Sequence, residues 1–141
     1  MWPDQVVISH KTLHRLAKEM DGFEGKHFIL IHNTARCGST LLCQMFSQMP
    51  STRVISEPWA FLHLQRYHRH GFPDREGNWT RDYYEALTAS MLKLQLKPRI
   101  ENDFTRVVVK LSLLSSAQVP LIKSLFPFTK LMFITRHIRQ G

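Results

Sequence analysis

The chain has few of the features that define several large classes of protein. Only two cysteines occur among its 141 residues, Cys37 and Cys43, and this pair does not provide the framework of a disulfide-stabilised secreted fold, so we expect free thiols. No apolar run approaches the roughly 20 residues of a membrane-spanning helix. The first residues also have neither the basic nor the apolar region of a signal peptide. These absences favour the cytoplasm as the compartment.

Acidic residues are also scarce. The chain has 11 Asp and Glu against 19 Lys and Arg, which gives a formal net charge of +8. This excess favours an anionic partner, but charge alone does not distinguish a phosphorylated nucleotide, an acidic glycan, a nucleic acid and a membrane surface. The hydrophobic content of 43% is high enough to bury a core and excludes a disordered or fibrous protein. We expect one domain, or part of one.

Apolar segments of strand length alternate with segments of helical periodicity. Ser9 is expected to cap a first helix that packs through one apolar face, and an irregular segment is expected at 59–79. The alternation of strands and helices predicts an α/β fold with a parallel sheet, which binds ligands at the carboxyl ends of its strands. The predicted strands lie at 28–31, 53–56, 107–109 and 131–134, and the helices between them at 39–49, 81–97 and 118–126.

The loop after the first predicted strand has the character of an anion site. Residues 33–40 (Asn-Thr-Ala-Arg-Cys-Gly-Ser-Thr) join a buried strand to a helix, where unpaired backbone N–H groups and the helix dipole favour a bound anion. Gly38 would let the backbone approach a phosphate closely. An ordinary strand-to-helix turn, capped by Ser39 or Gly38, is the alternative.

Two other phosphate-handling classes fit this loop less well. In the Walker A pattern, Asn33 would stand at the first Gly and Ser39 at the Lys, which disfavours a P-loop kinase. A Cys-based phosphatase would use Cys37 as its nucleophile, but Cys43 stands where such an enzyme needs an Arg. A non-catalytic basic module that holds an anion or nucleic acid remains a further alternative.

Three blocks resemble sulfotransferases and follow the order found in that family. Residues 36–42 (Arg-Cys-Gly-Ser-Thr-Leu-Leu) are similar to the family's 5′-phosphosulfate loop. Residues 56–59 (Ser-Glu-Pro-Trp) resemble the Glu-Pro segment after the second strand of carbohydrate-type members. Residues 125–139 resemble the strand and the Arg that approach the 3′-phosphate. The similarity covers about 27–141, although 66–105 is too divergent to match block by block.

The resemblance implies a three-layer parallel sheet of P-loop type and transfer of a sulfuryl group from 3′-phosphoadenosine 5′-phosphosulfate (PAPS), without a metal, to a hydroxyl or amine. It implies a packing helix and lead-in at 1–26 and, at 27–141, the N-terminal part of a sulfotransferase domain truncated at its C-terminus. The helix that completes the family's 3′-phosphate site would come later, so the chain alone is expected to bind PAPS weakly and to be inactive. A small-molecule or glycan acceptor is expected rather than nucleic acid, and the Golgi lumen becomes an alternative compartment.

The candidate catalytic residues are Arg36 and Glu57. Sulfuryl transfer needs a cation to neutralise charge on the bridging oxygen and a base for the acceptor hydroxyl. Arg36 would supply the charge, and Glu57, just past a strand end beside Pro58 and Trp59, would be the base. For Glu57, the alternative is a surface carboxylate or a helix cap. For Arg136 and Arg139, the alternative is a solvated basic turn. The residues expected to bind PAPS are Ala35, Arg36, Cys37, Gly38, Ser39, Thr40, Arg136 and Arg139.

Overall fold

The computed structural model describes residues 7–20, 26–70, 80–96 and 104–136, with the backbone alone at 66–70. Within these ranges the chain has a mixed α/β structure, and none of the helices described is both long and apolar enough to cross a membrane. The helices are α1 His10–Lys18, α2 Ser39–Ser47, α3 Trp59–His70, α4 Arg81–Gln95 and α5 Val119–Leu125, with a 3₁₀ helix at Leu113–Gln118; the strands are β1 His27–Asn33, β2 Thr52–Ser56, β3 Arg106–Lys110 and β4 Lys130–Ile134.

The four strands form one parallel sheet in the order β2-β3-β1-β4. β1 is therefore a central strand, with β3 on one side and β4 on the other. Its consecutive residues Leu30 and Ile31 are both fully buried. Because neighbouring residues of a strand point to opposite faces, both faces of the sheet are covered at β1. This confirms the prediction of an α/β fold with a buried central strand.

Helices cover the two faces of the sheet with two separate apolar cores. On one face, α2 places Cys43 against Ile31 and Val108. On the other face, α3, α4 and α5 contribute Phe61, Leu92 and Ile122 to a larger core. Each fully buried apolar side chain of this size contributes about 1.5–3 kcal/mol to folding. The sheet residues in the larger core are Phe28, Leu30, Val107 and Val109.

The first helix begins where the sequence predicts. The Ser9 hydroxyl accepts a hydrogen bond from the Thr12 backbone N–H at 3.2 Å, which satisfies one of the unpaired donors of the first turn. Leu13 then packs with Tyr84 and Leu87 of α4. α1 therefore contacts α4, which itself contributes Leu92 to the larger core.

The prediction of an irregular segment at 59–79 is wrong for the first part of that range, because α3 runs from Trp59 to His70. Phe61 and Leu64, three residues apart, are both buried, and this spacing puts them on one helix face. The many His and Arg residues around them obscured the short apolar stripe. The rest of that segment, 71–79, lies outside the described residues.

Candidate functional site

The carboxyl edge of the sheet brings together most of the site residues predicted from the sequence. Glu57 follows β2, residues 34–38 follow β1, and Arg136 follows β4. Because all the strands run in one direction, these segments lie along the same edge. The Thr34 N–H donates to the Ile134 carbonyl at 3.0 Å and so ties the loop after β1 to the end of β4. Arg139 lies outside the described residues.

The loop between β1 and α2 has two residues in the left-handed backbone region. Arg36 has φ 55° and Gly38 has φ 88°. Any side chain at position 38 would be strained by this φ, although an added Cβ would meet no atom within 4 Å. Gly38 is therefore required by its backbone conformation and not by crowding within the protein. The space beside it is open to a ligand.

The N-terminus of α2 leaves backbone donors available at this loop. The helix begins at Ser39, its N-cap Gly38 has no side chain to accept a hydrogen bond, and the Leu42 N–H donates to the Gly38 carbonyl at 3.1 Å. The N–H groups of residues 39–41 precede that first intrahelical bond, and such groups favour an anion together with the helix dipole. Ser39 is buried and Thr40 is exposed. The chemistry of the loop thus suits a phosphate or sulfate group.

The two predicted arginines that the structure describes are both open to solvent. Arg36 and Arg136 are exposed, and neither forms a hydrogen bond or ion pair with another described residue. Ala35 is exposed and Cys37 is partly buried. Each guanidinium is therefore available to an anion bound at the carboxyl edge.

Lys110, at the end of β3, is the residue that the sequence analysis missed. Its side chain is only 5% exposed. The Nζ atom donates to Glu57 Oε1 at 2.5 Å and to Thr40 Oγ1 at 3.4 Å. A buried ammonium therefore lies between the start of α2 and the candidate base. The available signal was a lysine directly after three valines in a buried strand, since a buried charge requires a partner.

Glu57 is paired with Lys110, and its side chain remains open to solvent. Its carboxylate pairs with Lys110, yet its side chain remains 53% exposed, and Trp59 is 73% exposed. The backbone of Glu57 is fixed as well, because its N–H donates to the Lys110 carbonyl at 2.8 Å. The base candidate thus has a fixed backbone and a carboxylate that solvent, or an acceptor, can reach.

Backbone strain coincides with both candidate catalytic residues. Arg36, Ser51 and Glu57 are the non-glycine residues with positive φ in the described part of the chain. A left-handed conformation at such a residue costs about 1 kcal/mol or more, and residues of this kind cluster at functional sites. Glu57, with φ 50°, lies at the bend that immediately follows β2. This strain supports a functional role for Arg36 and Glu57.

The two thiols are free but differ in their surroundings. Cys37 in the loop is partly exposed, whereas Cys43 in α2 is buried. Burial raises the pKa of the Cys43 thiol; nearby Lys110 lowers it by a smaller amount, and Glu57 adds to the increase. Less of the reactive thiolate is therefore present on Cys43 at any pH below its raised pKa.

We expect a thiol reagent such as iodoacetamide to modify Cys37 at least about tenfold faster than Cys43 at pH 8, because Cys43 is buried and this burial raises the pKa of its thiol. Mass spectrometry of peptides from the intact chain, sampled over time, measures both rates. The C43S variant should keep the fast phase, and the C37S variant should lose it. Equal rates in the folded chain would contradict the burial of Cys43.

Comparison with known proteins does not extend this description. No protein-family model matches the chain, and no curated protein is significantly similar to it. The residues at the carboxyl edge, and the three sequence blocks that resemble sulfotransferases, are the features of the chain that point to a function.

Proposed function

We propose that this protein transfers a sulfuryl group from PAPS to an acceptor hydroxyl or amine, using a parallel sheet of P-loop type. The observation that carries the proposal is the position of the buried Lys110 ammonium between Thr40, at the start of α2, and Glu57. This arrangement combines a positively charged site for an anion with a carboxylate that can act as a base. Sulfuryl transfer requires both at a short distance from each other.

The 5′-phosphosulfate of the donor would lie against the loop between β1 and α2. Backbone N–H groups at the start of the helix would bind its oxygens, and the open space beside Gly38 would admit it. Lys110 and Arg36 would then face the phosphosulfate with two positive charges. In the reaction, the bond between sulfur and the bridging oxygen breaks, and the acceptor oxygen bonds to sulfur. The resulting negative charge on the phosphate is what the two cations stabilise.

Glu57 would accept the proton that leaves the acceptor hydroxyl. Its carboxylate is half-exposed at the carboxyl edge, so an acceptor can approach it from solvent. A general base must come within hydrogen-bonding reach of the proton it removes. Small molecules and glycans carry hydroxyl groups of this kind, and they are the acceptor classes that the resemblance implies.

The 3′-phosphate of the donor would be bound by arginines that follow β4. Arg136 is exposed beyond the end of that strand, two residues after Ile134, whose carbonyl accepts a hydrogen bond from the Thr34 N–H of the loop. Arg139, which lies outside the described residues, is included as a second ligand of the 3′-phosphate because the sequence predicts it. A guanidinium binds a phosphate with two parallel hydrogen bonds, which a lysine cannot do.

Titration of the ¹⁵N-labelled chain with 3′-phosphoadenosine 5′-phosphate (PAP), the product of the donor, tests this function. We expect the amide signals of residues 36–41 to shift, and PAP to bind at least about tenfold more tightly than 5′-AMP, because each charge-assisted hydrogen bond to the 3′-phosphate contributes about 1.5–3 kcal/mol. NMR spectroscopy detects affinities as weak as millimolar.

Charge-matched variants separate specific binding from the general attraction of a basic protein. R136A should remove the preference for PAP over 5′-AMP, whereas K130A, at the opposite end of β4, should leave it unchanged. If PAP shifts no signal in the loop while DNA binds tightly with a steep dependence on salt, the chain is a nucleic-acid-binding module and the proposed function is wrong.

A further inference from the structure

The ammonium of Lys110 has two acceptors at unequal distances. Glu57 Oε1 lies 2.5 Å from Nζ, and Thr40 Oγ1 lies 3.4 Å from it. The short contact is an ion pair, and the long one is at the limit of a hydrogen bond. Lys110 is therefore bound mainly by Glu57.

An anion at the start of α2 would need the same ammonium. Ser39 stands at the position where a Walker A loop has its own lysine, so Lys110 of the neighbouring strand is the cation that reaches Thr40. Its side chain is 5% exposed, which leaves little room for water to bind Nζ in place of a protein or ligand group. The anion and the Glu57 carboxylate therefore compete for one buried charge.

We propose that Lys110 is a positioning residue that holds Glu57 in the unliganded protein and releases it when an anion occupies the loop. While the ion pair lasts, Nζ occupies a carboxylate lone pair that would otherwise accept a proton. Once the ammonium turns toward the bound anion and Thr40, Oε1 is freed as well, and both oxygens of the half-exposed carboxylate can accept the proton. This inference rests on the proposed function and adds an order to it: the donor binds first and frees the base.

The backbone around Glu57 allows this exchange to be a side-chain movement. The Glu57 N–H is hydrogen-bonded to the Lys110 carbonyl, and the preceding residue, Ser56, is in register with Lys110 across β2 and β3. Those contacts do not involve Nζ or the carboxylate. They can persist while the ion pair opens, so the release requires no change in the sheet.

A double-mutant cycle on anion affinity tests the competition. In the parent chain, E57Q is expected to tighten binding of PAP and of inorganic pyrophosphate by about threefold to tenfold, since it removes the competitor for Lys110. In the K110M background the same E57Q change is expected to have no effect. NMR titration of the four chains gives the affinities, and E19Q, which removes an exposed carboxylate on the C-cap of α1, is the matched control.

The pattern across the cycle decides between competition and simple charge repulsion. If E57Q tightens binding equally with and without Lys110, repulsion explains the effect and the release mechanism is wrong. If E57Q leaves affinity unchanged in the parent chain, the mechanism is also wrong. K110R keeps the charge and should restore most of the dependence on Glu57.

A spectroscopic measurement can be made on the parent chain itself. Variants are needed only to assign the NMR signals. The ¹³C signal of the Glu57 carboxylate should shift when either anion is added, and the signal of Glu19 should not. An unchanged Glu57 signal at saturating anion would overturn the proposal, including the case in which K110M does not fold.

The two anions separate this inference from the proposed function. Coupling with both anions, but no preference for PAP over pyrophosphate, would support the release mechanism and contradict the PAPS-dependent function. If the chain prefers PAP but the effect of E57Q does not depend on Lys110, the result would support the PAPS-dependent function and contradict the release mechanism. Failure of both anions to bind at tens of millimolar would overturn both.

Discussion

Replacing Glu57 with glutamine is expected to lower the turnover number by about a hundredfold or more, which is the usual contribution of a general base. The substitution keeps the shape of the side chain but removes its ability to accept a proton. Affinity for PAP should not fall, because in the proposed mechanism Glu57 competes with the donor for Lys110 and does not bind the donor. The measurement is the rate of sulfuryl transfer at saturating PAPS, in a form of the protein that shows transferase activity.

The matched control is E19Q, which removes an equal charge far from the carboxyl edge and should retain full turnover. The dependence of the rate on pH supplies a second criterion, since a variant without the base should lose the limb that reports its ionisation. An unchanged rate and an unchanged pH profile for E57Q would show that another group accepts the proton.

Replacing Arg36 with alanine is expected to lower turnover by about a hundredfold to a thousandfold, the effect of removing one group that stabilises transition-state charge. Affinity for the donor should fall much less, because the charge that Arg36 opposes develops mainly as the sulfuryl group departs. Alanine at this position meets the same backbone restriction as arginine, since Arg36 has φ 55°. The variant therefore isolates the loss of the guanidinium.

The control for Arg36 is R15A. Arg15 lies exposed on α1, outside the site, so its removal lowers the net charge equally without touching the loop. Steady-state rates at saturating donor and acceptor, with PAP affinity measured separately, distinguish the two effects. Near-normal turnover by R36A would deprive Arg36 of a role in the transition state and would weaken the assignment of the whole loop.

The local structure could be predicted where neighbouring residues determine it. Ser9 caps the helix that follows it, as predicted, and accepts a hydrogen bond from the backbone N–H three residues later. The four apolar runs are all strands, because uniform hydrophobicity over a few residues suits a strand covered on two faces. The prediction failed at α3, where two buried residues, Phe61 and Leu64, provide too short an apolar stripe to reveal a helix among charged neighbours.

Lys110 was missed for a different reason. Its contacts join residues far apart in the chain: 53 positions separate it from Glu57 and 70 from Thr40. The sequence shows a lysine at the end of a buried strand, but it does not show which strand lies next to it. The order β2-β3-β1-β4 places β3 between the strand that precedes Glu57 and the strand that leads into the loop.

The sequence by itself determined the strands, most of the helices and the loop at the start of α2, because apolar periodicity, capping side chains and glycine act over a few residues. The tertiary structure alone decided that Glu57, Lys110 and Thr40 meet. Their meeting depends on parallel pairing of β3 with both β2 and β1, and that pairing is selected by burial of the two sheet faces as a whole. The Lys110 ammonium can contact both Glu57 and Thr40 only after that pairing has formed.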